Sequence, residues 1–355
     1  MLLTHNHLNT DTRCAQRLPC DRQWTFEYTL PIENLHTVLR RLARMVPPGP
    51  GVVVAGDLLD LAMLSLHDVG RAVVLILHGD HDYYYDLAVK HDAIVHAFVV
   101  ASRKMHGRLL ELLPHRASTI FRLPYGIPVP EQVRRPAAGP LRLVFAGRLD
   151  LYKGVLDLPA IDAGLRARGI DRRWTIVGGG PEDAPLRAAW AGAPAVEFTG
   201  PLTQAATIAR LAEHDVFVLP TRTEGFPVSL LEAMGAGAVP VVSDIGSGVP
   251  DLVEPGVTGL LPAVGDVEGF VDAIAQIASN RARLEEMSAR CRALIETEYD
   301  IRVRVAAYQA LYARYDELYR PLSIEAKLQY GSRLDRPWLP NSLVRLVRSA
   351  VKAAR

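Results

Sequence analysis

The sequence predicts an α/β protein with two parallel sheets, and three observations predict it. A chain of 355 residues suits two domains better than a single core. Short β-branched runs alternate with longer amphipathic stretches, which is typical of parallel strands joined by crossover helices. A polar segment broken by prolines, residues 129–140, separates two groups of strands and indicates a linker. We therefore expect α/β domains facing a cleft at 1–138 and 139–318, with a tail at 319–355.

The first domain is predicted from four apolar runs with helices between them, such as Glu33–Met45 and Arg103–Leu113. The predicted strands are Gly51–Ala55, Arg71–Leu77, Ile94–Val100 and Ser118–Leu123. Domains of this type usually open with an apolar strand and a glycine-rich turn, yet the first thirty residues hold no glycine and no clear strand. We therefore expect this domain to lack its first strand.

The second domain is predicted from a longer series of apolar runs that follows the linker. Its predicted strands are Leu141–Ala146, Trp174–Val177, Ala195–Phe198, Val216–Leu219, Val239–Val242 and Gly259–Leu261. In such a sheet, ligands bind beyond the carboxyl ends of the strands. Candidate site residues should therefore follow these runs directly.

The overall charge makes a nucleic-acid partner unexpected. Forty basic and thirty-nine acidic side chains give a formal charge of +1, so any anion must be held locally. Three cysteines cannot form a dense disulfide framework, which favours a reducing compartment. No apolar run approaches the roughly 18–20 residues that cross a bilayer. We expect a cytoplasmic protein.

Two cations follow the first strand of the second domain, Leu141–Ala146. Arg148 and Lys153 lie in the turn after it, where the strand-end rule expects a ligand. A guanidinium can bind two phosphate oxygens at once and an ammonium acts as a point charge, so the pair suits a diphosphate. Two solvated surface cations are an equal alternative when this segment is considered alone.

Two acidic residues flank the start of a predicted helix after the strand Val216–Leu219. Pro227 suits a first helical turn, and the apolar residues that follow it share one face. The free N–H groups and the positive dipole end of this helix would point at a ligand. Glu224 precedes the helix and Glu232 lies in its second turn, so they would contact different parts of one ligand. For either carboxylate considered alone, the ordinary interpretation is favoured: an acid that suits the helix dipole, or an exposed helical glutamate.

Together these segments resemble the retaining glycosyltransferase family 4, whose enzymes have the GT-B fold of two facing Rossmann-like domains. The resemblance spans roughly residues 73–315 and rests on five motifs in the family's order and at its spacing. They are Gly147-Arg148 with Lys153-Gly154, Val177-Gly178-Gly179-Gly180-Pro181, Phe198-Thr199-Gly200, Glu224-Gly225-Phe226-Pro227 with Glu232-Ala233-Met234, and Gly256-Val257-Thr258-Gly259.

The resemblance implies a role for each matching position. Arg148 and Lys153 would hold the donor diphosphate, Glu224 would contact the donor sugar and Glu232 would bind the ribose hydroxyls. The remaining donor-binding positions are Gly147, Gly178, Gly180, Gly225, Phe226, Pro227 and Val228. No metal and no cofactor is expected, because fixed cations and a helix terminus replace a divalent ion.

The first domain contributes one candidate, His78, at the end of the apolar run 73–77. A histidine at this position of the resembled family lies near the donor sugar. The neighbouring Asp80 and Asp82 form an Asp-x-Asp triplet, which other transferases use for Mg²⁺ or Mn²⁺; we interpret it as a chance match. Residues 83–85 are three tyrosines that could stack on an acceptor sugar or, equally, pack at the hinge between the domains. Tyr125 departs from the family, which more often has Asn there.

The tail is predicted to end in a basic amphipathic helix at 341–355. Its apolar side holds Leu343, Leu346, Val347, Ala350, Val351 and Ala354, and its basic side holds Arg345, Arg348, Lys352 and Arg355. This pattern suits an anionic membrane surface, and packing against the first domain is the alternative.

The predicted function is retaining hexosyl transfer from a UDP- or GDP-sugar to a glycan or lipid-linked acceptor, in polysaccharide or glycolipid synthesis. The enzyme would work in the cytoplasm, at the inner face of the membrane. The alternatives are a non-catalytic subunit that binds nucleotide-sugars and a sugar-nucleotide epimerase of the same fold. The sequence does not reveal the sugar, the base, the acceptor or the oligomeric state.

Overall fold

A computed structural model describes residues 2–6, 20–193, 195–321 and 330–353. The chain forms two compact units that interleave along the sequence. One unit consists of Met1–Ile76, Asp86–Ala97 and Ala313–Arg355, and the other consists of Leu77–Tyr85 and Phe98–Tyr312. The predicted boundaries at 138 and 318 assume that each domain is one continuous segment, whereas each compact unit combines several segments. These boundaries stay a prediction.

The first 122 residues form strands that alternate with helices. In chain order these are β1 (Leu2–Asn6), β2 (Trp24–Tyr28), α1 (Leu35–Ala43), β3 (Val52–Ala55), α2 (Leu58–Leu66), β4 (Ala72–Leu77), α3 (Asp82–Lys90), β5 (Ala97–Val100), α4 (Arg103–Leu112) and β6 (Ile120–Arg122). Strands β1 and β2 form a two-stranded parallel sheet, and a second sheet has the order β3-β4-β5-β6. The four predicted strands and two predicted helices are confirmed with shorter ends.

The expectation that the first thirty residues hold no strand is wrong. Leu2 pairs with Trp24 and Asn6 with Tyr28, in parallel. Of the five residues of β2, only Phe26 is buried. The sequence patterns LLTHN and WTFEY therefore lack the continuous apolar run on which the prediction depended, although their aromatic and β-branched residues suit a strand.

The rest of the chain forms a second α/β layer and a helical end. It contains β7 (Leu141–Ala146), α5 (Leu158–Ala167), β8 (Arg172–Val177), α6 (Asp183–Ala189), β9 (Val196–Gly200), α7 (Gln204–Leu211), β10 (Val216–Leu219), α8 (Val228–Gly235), β11 (Val239–Val242), α9 (Val267–Ser279), α10 (Arg281–Glu298), α11 (Ile301–Tyr312), α12 (Tyr315–Leu318) and α13 (Asn341–Ala353). Five of the six predicted strands are confirmed. The sixth, Gly259–Leu261, is wrong, because this glycine-led segment makes isolated bridges only, such as Leu260 to Val241.

The five-stranded parallel sheet has the order β11-β10-β7-β8-β9. The chain enters at the central β7, adds β8 and β9 on one side, and then returns to add β10 and β11 on the other. Its core includes Phe145, Trp174 and Phe217, all fully buried. From the neighbouring strands β7 and β10 the chain continues in opposite directions, through α5 to β8 and through α8 to β11, so a crevice opens at the carboxyl ends of β7 and β10. This crevice is the topological switch point of the sheet, and the predicted cations and acids follow the strands β7 and β10 that form it.

Within the described part of the chain, no helix is both long and apolar enough to cross a membrane. The predicted tail helix is confirmed over Asn341–Ala353, and residues 354 and 355 lie outside the described residues.

Candidate functional site

The loops that follow β7 and β10 lock together at the switch point. The Arg222 amide donates to the Tyr152 carbonyl at 2.8 Å, and the Thr221 hydroxyl donates to the same oxygen at 3.2 Å. The Arg222 guanidinium pairs with Asp157 at 3.0 Å. The two polar loops predicted to share a ligand are therefore held in one fixed arrangement.

Glycine is required where these loops touch. Gly154 has φ +66°, and a Cβ on it would lie 1.8 Å from the Pro220 carbonyl oxygen. Gly178, which follows β8, has φ +133°, and a Cβ there would lie 1.9 Å from the Gly147 carbonyl oxygen. Any other residue would push the loops apart or strain the backbone. The glycines of the predicted donor site thus allow backbone to approach backbone.

Lys153 and Glu224 form an ion pair in this crevice. Their side chains are only 15% and 10% exposed, so water screens the pair weakly. The Thr221 hydroxyl also donates to Glu224, at 3.2 Å. The structure therefore brings together two predicted site residues, one from the loop after β7 and one from the loop after β10. A ligand that carries negative charge could take the Glu224 place against the ammonium.

Arg148 is much more exposed to solvent than Lys153. Its side chain is 60% exposed and its Nε lies 3.3 Å from the Asp150 carboxylate. The guanidinium is therefore accessible at the mouth of the same turn, with an ion pair that an anion could replace. An exposed pair of this kind contributes little to stability.

Helix α8 begins at Val228, one residue later than the prediction, with Pro227 at the N-cap in extended conformation (φ −74°, ψ 107°). The first amides of such a helix have no partner within it, so they and the helix dipole favour a negative ligand. Phe226, two residues before the first residue of α8, is buried. A Cβ on Gly225 would lie 2.6 Å from the His78 carbonyl oxygen. The motif therefore fits tightly against the chain just after β4.

Glu232 is buried in the second turn of α8, and Gln204 is its partner. The Gln204 amide donates to Glu232 at 2.8 Å. Burial raises the pKa of the Glu232 carboxyl, and the bond from Gln204 lowers it in part. Gln204 was missed by sequence reasoning. Its position in the sequence was the available signal. Gln204 is the first residue of α7, directly after the N-cap Thr203, where the loop that follows Gly200 ends. This loop was expected to border the nucleoside.

His78 follows β4 and lies beside Tyr125. The His78 Nδ1 and Tyr125 Oη atoms are 2.8 Å apart, and the rings stack with their centroids 6.3 Å apart. Burial raises the pKa of Tyr125 to about 12, so its hydroxyl stays protonated at neutral pH. The Tyr125 ring also contacts Phe226 edge-on, with 6.1 Å between centroids. The residue that departs from the family pattern therefore orients the predicted histidine.

The Asp-x-Asp triplet does not converge on one point. Asp80 accepts hydrogen bonds from Tyr85 at 2.6 Å and pairs with Lys104 at 2.9 Å. Burial raises the Asp80 pKa, but these bonds and one from Ser247 outweigh it, and the pKa falls overall. Asp82 is 86% exposed at the start of α3. Over the residues that the structure describes, no group of three His, Cys, Asp or Glu side chains could hold a metal ion.

The three tyrosines after the triplet do not form one stacking face. Tyr85 is buried, with the Arg108 guanidinium 5.1 Å from its ring centroid. Tyr83 is exposed and meets Tyr84 edge-on, and Tyr84 also meets His78 edge-on. Packing therefore explains Tyr85, whereas Tyr83 and Tyr84 present ring surface next to the predicted histidine.

Much of the chain is similar in sequence to known proteins. Residues 140–280 match the family model described as glycosyl transferases group 1. The amylovoran biosynthesis glycosyltransferase AmsK of Erwinia amylovora is 34% identical over 172 residues, which are 45% of this chain and 42% of that protein. The glycogen synthase of Mycobacterium tuberculosis is 29% identical over 229 residues, 61% of this chain and 53% of that protein. This chain thus spans about half the length of the curated relatives it matches.

A solved structure shares the fold over more of the chain. Alr3699/HepE of Anabaena, in complex with UDP and glucose, superposes with a TM-score of 0.70 at 16% identity, over 82% of this chain and 86% of that one. This likeness shows the GT-B type of α/β fold with parallel sheets.

Proposed function

We propose that the protein is a glycosyltransferase of group 1, and the match of residues 140–280 to that family model supports the proposal. It transfers a hexosyl group from a UDP- or GDP-sugar, with retention at the anomeric carbon, to a glycan or lipid-linked acceptor. The names of AmsK and glycogen synthase support polysaccharide synthesis as the setting. We place the enzyme at the cytoplasmic face of a membrane.

The buried Lys153–Glu224 pair at the switch point carries the proposal. An ammonium with little solvent contact would gain more from a diphosphate than an exposed lysine does, because charges interact more strongly where water is excluded. The amide end of α8 lies in the same motif as Glu224 and adds a fixed positive dipole. Arg148 completes the set with a guanidinium suited to two phosphate oxygens.

The two acids divide the donor between them. Once the diphosphate binds Lys153, Glu224 can accept from hydroxyl groups of the sugar, together with the backbone of the Gly225–Val228 segment. Glu232, held by Gln204, can accept from the ribose hydroxyls. The loops around Gly178 and Gly180 border the nucleoside, where small residues let the base approach the backbone.

The proposed reaction breaks the bond between the anomeric carbon and its phosphate oxygen and forms a bond from that carbon to the acceptor oxygen on the same face. The acceptor proton passes to the departing diphosphate. Lys153, Arg148 and the α8 terminus stabilise the negative charge that grows on the leaving group. His78, oriented by Tyr125, lies at the sugar and supplies polarity there. All of these groups are fixed in the protein, so the proposal needs no metal ion.

A panel of nucleotide-sugars tests the proposal. A donor at one hundred times its dissociation constant should stabilise the protein by about 2.7 kcal/mol in thermal unfolding. A donor found in this way should then release UDP or GDP when acceptors are added. Donor binding without release would indicate a non-catalytic subunit. A changed sugar-nucleotide formed without any acceptor would indicate an epimerase.

A further inference from the structure

Helix α13 is fixed to its own unit by one buried face. Val344 is fully buried, and Arg348 donates to the carbonyl oxygens of Pro31 and Glu33 at 2.6 Å each. Arg348 also pairs with the buried Asp335 at 2.7 Å. The helical wheel grouped Arg348 with the solvated cations, but the structure uses it as the anchor. The other faces of the helix are thereby held in fixed directions.

The anchored helix leaves its apolar stripe uncovered by the residues that the structure describes. Leu346 is 69% exposed, and Trp338, just before the helix, is 76% exposed. The stripe continues with three further exposed residues, Leu343, Val347 and Val351. Four exposed aliphatic side chains on one helix, with an exposed tryptophan three residues before it, exceed the isolated exposed apolar residues of an ordinary surface.

The segment that carries this stripe is positively charged. Between residues 330 and 353 there are five cations and one carboxylate, although the whole chain carries a net charge of only +1. The single carboxylate, Asp335, is buried and neutralised by Arg348. Arg345 and Lys352 on α13 and Arg333 and Arg336 before it are exposed. The exposed surface of this segment therefore combines an apolar stripe with four accessible cations.

We propose that the α13 stripe and Trp338 dock on an anionic lipid bilayer, with the helix lying in the plane of the membrane surface. This inference rests on the membrane location in the proposed function and identifies the surface that makes the contact. Leucine and valine would enter the acyl boundary, tryptophan suits the interface, and lysine and arginine would meet lipid phosphates. A protein partner would also need an acidic border, whereas an anionic bilayer presents both required features as one surface.

The contact should not depend on pH near neutrality. Burial raises the pKa of Asp335, but bonds from Arg348, Leu35 and Ser332 outweigh it and lower the pKa to about 2. The Asp335–Arg348 anchor therefore stays charged throughout the physiological range. The stripe is presented in the free protein, so docking does not require the helix to form first.

Vesicle co-sedimentation of the full chain tests the proposal. The wild type should bind vesicles of phosphatidylcholine with 30% phosphatidylglycerol and bind pure phosphatidylcholine at least about tenfold more weakly, since each cation near the surface contributes roughly fivefold. Leu346→Ser with Val351→Ser should weaken binding at least about tenfold. Arg345→Gln with Lys352→Gln should remove most of the preference for the anionic vesicles.

Val305→Ser, at an exposed apolar residue of α11, is the control and should leave vesicle binding unchanged. Equal binding of the wild type and Leu346→Ser/Val351→Ser would overturn the proposal. So would a wild-type dimer that the same double substitution dissociates, because the stripe would then cover a second copy.

UDP and GDP binding, measured by calorimetry without lipid, separates the two claims. Nucleotide binding without vesicle binding overturns the lipid surface alone. Vesicle binding without nucleotide binding overturns the proposed donor site alone.

Discussion

Charged residues cluster at both ends of the strands of the five-stranded sheet, which we call the amino edge and the carboxyl edge. The two clusters differ in how far their charges are paired and buried. At the amino edge, Asp215 accepts from Arg134 at 2.9 Å and from Arg142 at 2.7 Å, and Arg281 lies at 3.5 Å. Arg134 and Asp215 are each 1% exposed. At the carboxyl edge, Arg148 is largely exposed and Lys153 is paired with a single acid.

A cavity of about 970 Å³ at the amino edge makes the contrast clear, because its lining is rich in arginine. Three of its four arginines are ion-paired: Arg142 with Asp215, Arg172 with Asp162, and Arg210 with Glu197 and Glu213. An anion entering there would have to displace several carboxylates. Cavity size and cation number are therefore poor guides to the site in this protein, and the neutralisation of each cation is the better one.

The largest expected effect is at the amino edge. Asp215→Ala should lower the free energy of unfolding by about 3–5 kcal/mol, because it removes the buried carboxylate of Arg134 and leaves that guanidinium only the exposed Glu285 as an ion-pair partner. Chemical denaturation measures this change. Asp272→Ala, which removes an exposed partner of Arg168, is the control and should change stability by at most about 1 kcal/mol. Equal effects of the two substitutions would contradict a structural role for the amino edge.

The same pair makes stability depend on pH. Burial raises the Asp215 pKa, but bonds from Arg142 and the charge of Arg134 outweigh it, so the pKa is lowered overall. The stabilisation should be complete above the unfolded value of about 3.9 and should be lost as the pH falls through the folded pKa. Denaturation between pH 5 and 2 should show a smaller loss of stability on acidification in Asp215→Ala than in the wild type.

At the carboxyl edge, function should change more than stability. Lys153→Ala should slow nucleotide release from the donor by about a hundredfold, the usual cost of losing one group that stabilises the leaving charge. Its free energy of unfolding should fall less than that of Asp215→Ala, because Glu224 is more exposed than Arg134 and keeps the Thr221 hydroxyl beside it. Arg173→Ala, an exposed cation in β8 near the amino edge, should leave the rate unchanged. Unchanged turnover in Lys153→Ala would contradict its role.

A glycine pair tests whether loop contact builds the site. Gly154→Ala and Gly169→Ala place a side chain at similar backbone angles, φ +66° and +71°, but only the Gly154 Cβ meets another atom, the Pro220 carbonyl oxygen. Both should pay the strain of about 1 kcal/mol, and Gly154→Ala should in addition weaken UDP or GDP binding by at least about tenfold. Calorimetry compares them. Equal nucleotide affinity would show that the two loops need not touch.

The smallest expected effect is at Gln204. Donor affinity should be full above the raised pKa of Glu232 and should fall as the pH drops through it, since only the carboxylate accepts from ribose hydroxyls. Gln204→Ala removes a bond that lowers this pKa, so the midpoint should move to higher pH, with a few-fold weaker binding at neutral pH. Affinity measured from pH 5 to 8 gives both midpoints. A midpoint that does not move would exclude Gln204 as the partner that tunes Glu232.

Sequence reasoning succeeded where one pattern determined the structure. Continuous apolar runs located β7, β10 and β11 to the residue, and Pro227 located the start of α8 to within one position. The predictions failed where contacts between residues distant in the sequence determine the structure. The short polar strands β1 and β2 gain their stability from each other, and Gln204 acquires a role only when α7 packs against α8. Arg348 reads as a surface cation in sequence and becomes an anchor because Asp335 lies beside it.

A crystal structure with UDP bound tests the central claim most directly. We expect the diphosphate to replace Glu224 at the Lys153 ammonium and to contact Arg148 and the first amides of α8. The ribose hydroxyls should donate to Glu232. A nucleotide bound in the arginine-lined cavity at the amino edge, with the Lys153–Glu224 pair intact, would contradict it.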